Sequence, residues 1–270
     1  MDGTLLNSKR EISEFNKEAI KKAHDKGVHI VVSTGRLFSN AEAFSDLIGV
    51  KSPVIASNGA VVRGIDKKQI IYKSYLDAET CIKLLNIFTR HKVKPSFSTP
   101  EKSYTEDLKF KLLIEYARLK GGIIRKTKIK YVPYYKQWLK VFEQEKDNIV
   151  KCEIRCEDAA KLKSIRKELE DMKEFDVVSF SHRNLEITNS DVSKGKAAEK
   201  LAQYYGIKRE EVIAIGDSEN DLSMVKYAGT GIAMGNAMEI VKQNADYITD
   251  TNDNDGVGKA IYKYVLETNY

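Results

Sequence analysis

Apolar and polar positions along the chain switch between two periods, and the switching predicts helices and strands in turn. Residues 13–26 carry apolar side chains at helical spacing and stop at Gly27, and the run at 28–33 then has strand length and β-branched content. The same couplet recurs as a helix at 41–48 and a strand at 53–56, and Ser57, Asn58 and Gly59 then turn into a hairpin-like stretch at 60–72. Further along, helices are expected at about 194–205 and 221–228 and from 256 onward, with strands at 212–215 and 231–234. Strands that alternate with helices pair in parallel through crossovers, so the expected class is α/β with a Rossmann-like, doubly wound parallel sheet. Polar residues gather just past the strands, where open α/β sheets place their ligands.

The middle of the chain has a different texture. Helices are expected at 78–91, 108–119 and 159–172, strands at 93–98, 149–155 and 177–181, and a Lys/Tyr-rich stretch lies between. This predicts an α+β cap domain at 78–187, inserted into a core made of 1–77 and 188–270. The insert holds 24 Lys+Arg against 17 Asp+Glu, a balance of +7, which leaves 21 against 22, or −1, elsewhere. The excess favours an anionic ligand. Lys126, Lys128, Lys130, Tyr131, Tyr134, Tyr135, Lys136 and Trp138 interleave cations with aromatics, as single-strand nucleic-acid sites do. The balance is modest and no RNA or DNA motif accompanies it, so a solvated face with aromatics packed behind is expected, and no nucleic-acid partner.

Composition sets the remaining bounds. With 270 residues, 42% hydrophobic and 31% charged, the chain can bury a full core. No apolar run approaches bilayer length and no basic region precedes an apolar one at the start, so no membrane partner and a cytoplasmic location are expected. Cys81, Cys152 and Cys156 lack the pairing of a zinc site and are expected as reduced thiols, and the four histidines are scattered singly.

The residues with chemistry stand at strand ends. An apolar run at 212–215 leads through Gly216 into Asp217 and Asp221, two carboxylates four residues apart. Hard oxygen ligands without a neighbouring His or Cys suit Mg²⁺. The competing explanation is an acidic helix start, favoured there by the macrodipole. Three more polar pieces stand with it: Asp2-Gly3-Thr4, Ser33-Thr34-Gly35-Arg36 and Ser193-Lys194-Gly195-Lys196.

In order and spacing, these four pieces resemble the haloacid dehalogenase superfamily of phosphotransferases, and within it the Cof-like phosphatases whose large α/β cap (type IIB) lies between the second and third motifs. Leu5-Leu6, Ser57-Asn58-Gly59-Ala60, Met234-Gly235-Asn236-Ala237 and Asp255-Gly256-Val257 extend the resemblance over the whole chain. The interval from Asp2 to Thr34 is too short for a cap there, which argues against the phosphoglucomutase-like branch. The resemblance implies Mg²⁺-dependent hydrolysis of a small phosphorylated metabolite, a sugar phosphate or a nucleotide-derived cofactor, through an aspartyl-phosphate. It makes Asp2 the general acid and base, with its carbonyl on the metal. Thr34 and the Gly35 amide would hold the phosphoryl group, and Lys194 would set a positive charge against it. Asp217 would bind Mg²⁺ with Asp221 beside it, Asn220 would support that shell, and Met1 and Asn58 would stand near the phosphate. Arg36 and Asn236 are secondary candidates.

One departure qualifies the resemblance. The family's first motif is Asp-x-Asp-Gly-Thr at the end of a central strand, its first Asp being the nucleophile, and here Met1 stands at the x. A misplaced start is expected, with roughly five to eight mostly apolar residues ending in Asp ahead of Met1. The chain as it stands is then expected to be poorly stable and unable to form the aspartyl-phosphate. A phosphohexose mutase and a non-catalytic relative that binds a phosphorylated metabolite are the alternatives. The physiological substrate and the oligomeric state stay open.

Overall fold

The computed structural model describes residues 1–119, 127–179 and 181–267. Ser13 opens the first helix by accepting a hydrogen bond from the Asn16 amide, and α1 (Glu14–Asp25) buries Asn16, Ala19, Ile20 and Ala23 along one face. Then come β1 (Val32–Ser33), α2 (Phe38–Ser45), β2 (Val54–Ala56), β3 (Val61–Arg63) and β4 (Ile70–Lys73). β1 and β2 are parallel, β3 runs antiparallel to β2, and β4 antiparallel to β3.

The insert follows as α3 (Ala78–Arg90), β5 (Pro95–Ser98), β6 (Lys102–Thr105), α4 (Leu108–Leu119), β7 (Lys128–Tyr131), α5 (Tyr135–Gln144), β8 (Lys151–Arg155), α6 (Ala159–Asp171), β9 (Phe175–Val178) and β10 (Asn184–Asn189). Its strands form one sheet in the order β7-β6-β5-β8-β10-β9. Phe97, Tyr104, Cys152, Ile154, Val177, Leu185 and Ile187 point to one face and pack with Leu84, Phe88, Trp138, Phe142 and Ile165 of the helices. Strand alternation sends Ser98, Ser103, Lys151, Glu186, Thr188 and Asp176 to the opposite face. That polar face is turned toward the core, and most of it is buried.

The chain returns to the core with α7 (Lys194–Tyr205), β11 (Ile213–Gly216), α8 (Leu222–Tyr227), β12 (Thr230–Ala233), α9 (Glu239–Lys242), β13 (Tyr247–Ile248) and α10 (Gly256–Ile261). β11, β12 and β13 form a parallel sheet. The core's parallel strands therefore lie in two leaves. A cavity of about 520 Å³ lies between β1 and β11, lined by Val31, Val32, Ile213 and Ile215 and also by Met1, Thr4 and Leu5.

Several expectations shift. Only Val32–Ser33 of the run at 28–33 is strand, because β1 has a ladder partner on the β2 side alone. β6, β10 and β13 lie where no strand was expected. The Lys/Tyr-rich stretch holds β7 and α5, and Trp138 is fully buried against Phe97 and Phe142, so it serves the core; Lys126 lies outside the described residues. Cys81 and Cys152 are free and buried, and burial pushes both thiols up. No helix among the described residues is long and apolar enough to cross a membrane.

Asp176 reports on the contact between insert and core. Burial, and then the charge of Glu219 in the core, push its carboxyl up to about 6 against the pull of Lys196 and Arg166. The fold thus binds this proton more tightly than the unfolded chain, so stability falls as pH rises from about 4 to about 6 and stays lower above that. Asp176→Asn is expected to stabilise the protein by roughly 1–2 kcal/mol at pH 7 and to leave it unchanged at pH 4. Paired urea titrations at the two pH values check this, and equal stabilities at pH 7 would refute it.

Candidate active site

The loop after β11 is organised by one buried carboxylate. Asp221 is 2% exposed, and its Oδ2 accepts the Asp217 and Ser218 amides at 3.0 and 3.1 Å. Its Oδ1 accepts Lys194 Nζ at 2.5 Å, and both side chains of this pair are buried. Burial pushes the Asp221 carboxyl up, but nearby positive charge, Lys194 first, with the hydrogen bonds from Lys194 and the Asp217 amide, outweighs it and brings it down to about 2. Lys194 arrives at this point because Ser193 caps α7 through the Lys196 amide, so the first helical side chain turns inward.

Asp217 differs from Asp221. Its Oδ1 accepts the Thr4 hydroxyl and its Oδ2 the Ser218 hydroxyl at 2.6 Å, and among the described residues no side-chain cation pairs with it. Gly3 is what lets the first loop come so close. It sits at φ +73°, and a Cβ there would lie 2.5 Å from Asp217 Oδ2. Asn236, a secondary candidate, donates to the Gly3 carbonyl at 2.8 Å and steadies the same loop.

The loop after β1 forms the other wall. Thr34 is buried, its amide donates to the Ile55 carbonyl at 2.9 Å, and its hydroxyl accepts the Arg36 amide at 3.2 Å. Ser57 and Asn58 both have left-handed backbone, φ +52° and +57°, which is costly for side chains other than glycine and marks the turn as held by its surroundings. Gly35 is tight against that turn, since a Cβ on it would stand 2.7 Å from Asn58 Oδ1. Asn58 Oδ1 in turn accepts Asn220 Nδ2 at 3.0 Å, which joins this wall to the β11 loop. Arg36 grips Asp2 in a two-pronged pair, Nε donating to Oδ2 at 2.8 Å and Nη2 to Oδ1. Burial raises the Asp2 carboxyl, but the Arg36 hydrogen bonds and charge outweigh it and hold it below the usual range.

The structure thus brings together Met1, Asp2, Thr34, Gly35, Asn58, Lys194, Asn220, Asp217 and Asp221, and it changes the standing of two. Asp221 has both oxygens engaged by Lys194 and the amides, so it shapes the loop that presents Asp217. Arg36 is directly paired with Asp2. Sequence reasoning missed three partners from the insert: Lys151, Glu186 and Arg166. Lys151 and Glu186 form a buried ion pair, Lys151 Nζ also donates to the Gly35 carbonyl at 2.8 Å, and Glu186 Oε2 accepts Asn58 Nδ2 at 2.6 Å. Arg166 pairs with Glu219 of the core, whose carboxylate also accepts the Ser179 amide at 3.2 Å. The alternation of Asn184, Leu185, Glu186, Ile187 and Thr188 was the available signal for a strand with one polar face.

A family model for haloacid dehalogenase-like hydrolases matches residues 1–261, and the chain belongs to this family. Over 267 residues it is 32% identical to the 5-amino-6-(5-phospho-D-ribitylamino)uracil phosphatase YcsE of Bacillus subtilis (strain 168), covering 98% of this chain and 94% of that one. A haloacid dehalogenase-like hydrolase from B. subtilis superposes with a TM-score of 0.84 at 29% identity, over 98% of this chain and 97% of the other. A subclass IIB sugar phosphatase of the superfamily superposes with a TM-score of 0.79 at 25% identity, over 98% and 96%. The fold is therefore the parallel-sheet core with an inserted α+β cap, of the Cof-like type that the motifs resemble.

Two outcomes follow from this geometry. Lys194→Met leaves Asp221 charged and buried without its cation, which is expected to cost about 3–5 kcal/mol at pH 7. The Lys194 contribution is present above the ordinary carboxylate range and lost as pH falls through about 2, so urea titrations should show the gap between parent and variant closing toward acid. Arg36→Met is expected to raise the Asp2 carboxyl, read by carbon-13 NMR titration; an unmoved titration would mean that Arg36 does not set it.

Proposed function

We propose that the protein is a Mg²⁺-dependent phosphatase of small phosphomonoesters that works through an aspartyl-phosphate, with residues 78–187 selecting the leaving group. The observation that carries this is the convergence of Asp217, Lys194 and the Thr34-Gly35 loop, joined through Asp221 and through the Asn58–Asn220 contact. In the family's Asp-x-Asp-Gly-Thr motif the nucleophile is the carboxylate two residues ahead of the one that corresponds to Asp2. The relatives' names point to small substrates, a phosphoribitylamino-uracil and sugar phosphates.

The donors suit the cation. Asp217 is a hard, half-buried carboxylate met only by hydroxyls, and Mg²⁺ commonly takes one or two carboxylates and completes its shell with water and phosphate oxygens. Asp217 and the Asp2 backbone carbonyl would hold it, and when bound it supplies neutralisation of phosphoryl charge. The chain's own groups do the rest. The Lys194 ammonium and the Gly35 amide offset charge on the phosphoryl oxygens, and Thr34 orients them. A carboxylate oxygen bonds to phosphorus as the phosphorus–oxygen bond to the alcohol breaks, and Asp2 gives the leaving oxygen its proton. Water then attacks phosphorus, loses a proton to Asp2, and frees phosphate and the carboxylate. Asp2 can carry that proton only once the Arg36 pair has opened.

The test is phosphate release from a panel of sugar phosphates and nucleotide-derived cofactors. It uses the protein extended ahead of Met1 by roughly five to eight apolar residues ending in Asp. Mg²⁺-dependent turnover is expected, abolished by Asp217→Asn and lowered by about 10² to 10⁴ in Asp2→Asn. Near-normal turnover of Asp217→Asn at limiting Mg²⁺ would remove the metal assignment. Phosphoryl transfer to a sugar without phosphate release would mark a mutase, and ester binding without turnover a non-catalytic relative.

A further inference from the structure

We propose that the buried Lys151–Glu186 pair is a positioning device supplied by the cap: it aims the Asn58 amide and holds the Gly35 carbonyl, so the phosphate loop is fully formed only when the cap is seated. This rests on the phosphatase reading for its purpose, and on the hydrogen bonds alone for its geometry.

Both residues belong to the polar face of the cap sheet, Lys151 on β8 and Glu186 on β10, and each side chain is 5% exposed. A buried ion pair stabilises little, because desolvation offsets most of the attraction, and apolar replacements of like volume are often as stable. What this pair adds is direction. Its outer ends leave the cap: the ammonium donates to the Gly35 carbonyl and the carboxylate accepts from Asn58 Nδ2. Fixing Nδ2 as the end that faces Glu186 fixes Oδ1 as the end that faces Asn220, one residue before Asp221. One cap pair therefore sets the amide orientation at the turn, the Gly35 backbone and, through Asn220, the loop carrying Asp217. The left-handed backbone of Ser57 and Asn58 is held within the core, the Ser57 amide donating to the Arg36 carbonyl and the Asn58 amide to the Thr34 carbonyl, so what the cap pair sets is the Asn58 side-chain amide and the Gly35 carbonyl.

Two paired replacements separate positioning from simple cohesion. K151M/E186L removes the charges and keeps volume. K151E/E186K keeps an ion pair but sets an acceptor against the Gly35 carbonyl and a donor against Asn58 Nδ2. Melting temperature, the side-chain amide resonances of Asn58 in nitrogen-15 NMR spectra, and affinity for inorganic phosphate with Mg²⁺ are measured for each. K151M/E186L is expected to melt near the parent and K151E/E186K below it; both are expected to shift or broaden the Asn58 resonances and to weaken phosphate binding about tenfold or more, the scale of losing hydrogen bonds to charged groups. Folded variants with parental Asn58 resonances and parental phosphate affinity would overturn the proposal. Should neither pair fold, the nearly isosteric Glu186→Gln provides the same Asn58 readout. If the parent binds no inorganic phosphate, the phosphatase reading fails, and the Asn58 resonances still decide whether the pair positions the turn.

Discussion

The Asp221 carboxylate is the constraint from which the site is built. A charge with 2% exposure must be matched on both oxygens, and the match comes from Lys194 on one side and the Asp217 and Ser218 amides on the other. Meeting it fixes the start of α7 against the loop after β11, where the Gly195 amide also donates to the Ser223 hydroxyl at 3.1 Å. With that loop fixed, Asp217 stands where Thr4 reaches it and Asn220 stands where Asn58 reaches it. Three segments far apart in the chain are thus held together by satisfying one buried group.

The cavity between the two leaves of the core sets a second constraint, this one apolar. Among its walls, Ile213 of β11 and Val31, just ahead of β1, are more than a third exposed. Met1, Thr4 and Leu5 line this cavity and Thr4 also donates to Asp217, so the first loop belongs both to the apolar cavity and to the polar site. Stability and chemistry are coupled at this position in a way that they are not in the cap, whose apolar core is complete around Trp138 and Phe97.

Much of this was legible in the sequence, and the remainder was hidden for definable reasons. α1, α3, α6 and α7 were placed by their apolar spacing, and the structure starts each just after Ser13, Asp77, Asp158 and Ser193, which accept from an amide three residues on. The motif residues at strand ends were likewise visible, because each follows an apolar run. β13 was not, being two exposed residues long, and periodicity needs more positions than that. α5 was obscured by its lysines and tyrosines, although Trp138, Val141 and Phe142 stand at the spacing of a buried helical face. Lys151 and Glu186 look like surface residues in any linear pattern; their burial arises from pairing across strands that meet only in the folded sheet.

The way the cap is tied to the core limits how a substrate can enter. At the two crossings between them the chain is cross-braced: Asn189 donates to the Tyr75 carbonyl at 2.5 Å, Tyr72 to Asp191 at 3.2 Å, and the Leu76 amide to the Ile149 carbonyl at 2.7 Å. Away from these crossings two ion pairs join cap to core, Arg63–Glu101 and Arg166–Glu219, and the Lys151–Glu186 pair within the cap adds hydrogen bonds to Gly35 and Asn58. Arg166 and Glu219 are each 29% exposed, so water screens them and competes for them. Lys151 and Glu186 are nearly dry, and they bind each other within the cap before they bind the core. Lifting the cap about the crossings therefore breaks the partly exposed Arg63–Glu101 and Arg166–Glu219 pairs, the Ser39 hydrogen bonds to Pro100 and Thr127 and those to Gly35 and Asn58, but it leaves the Lys151–Glu186 pair intact. No charge is stranded in either half by that movement, which keeps opening affordable while the closed state remains the one in which the phosphate loop has all its partners.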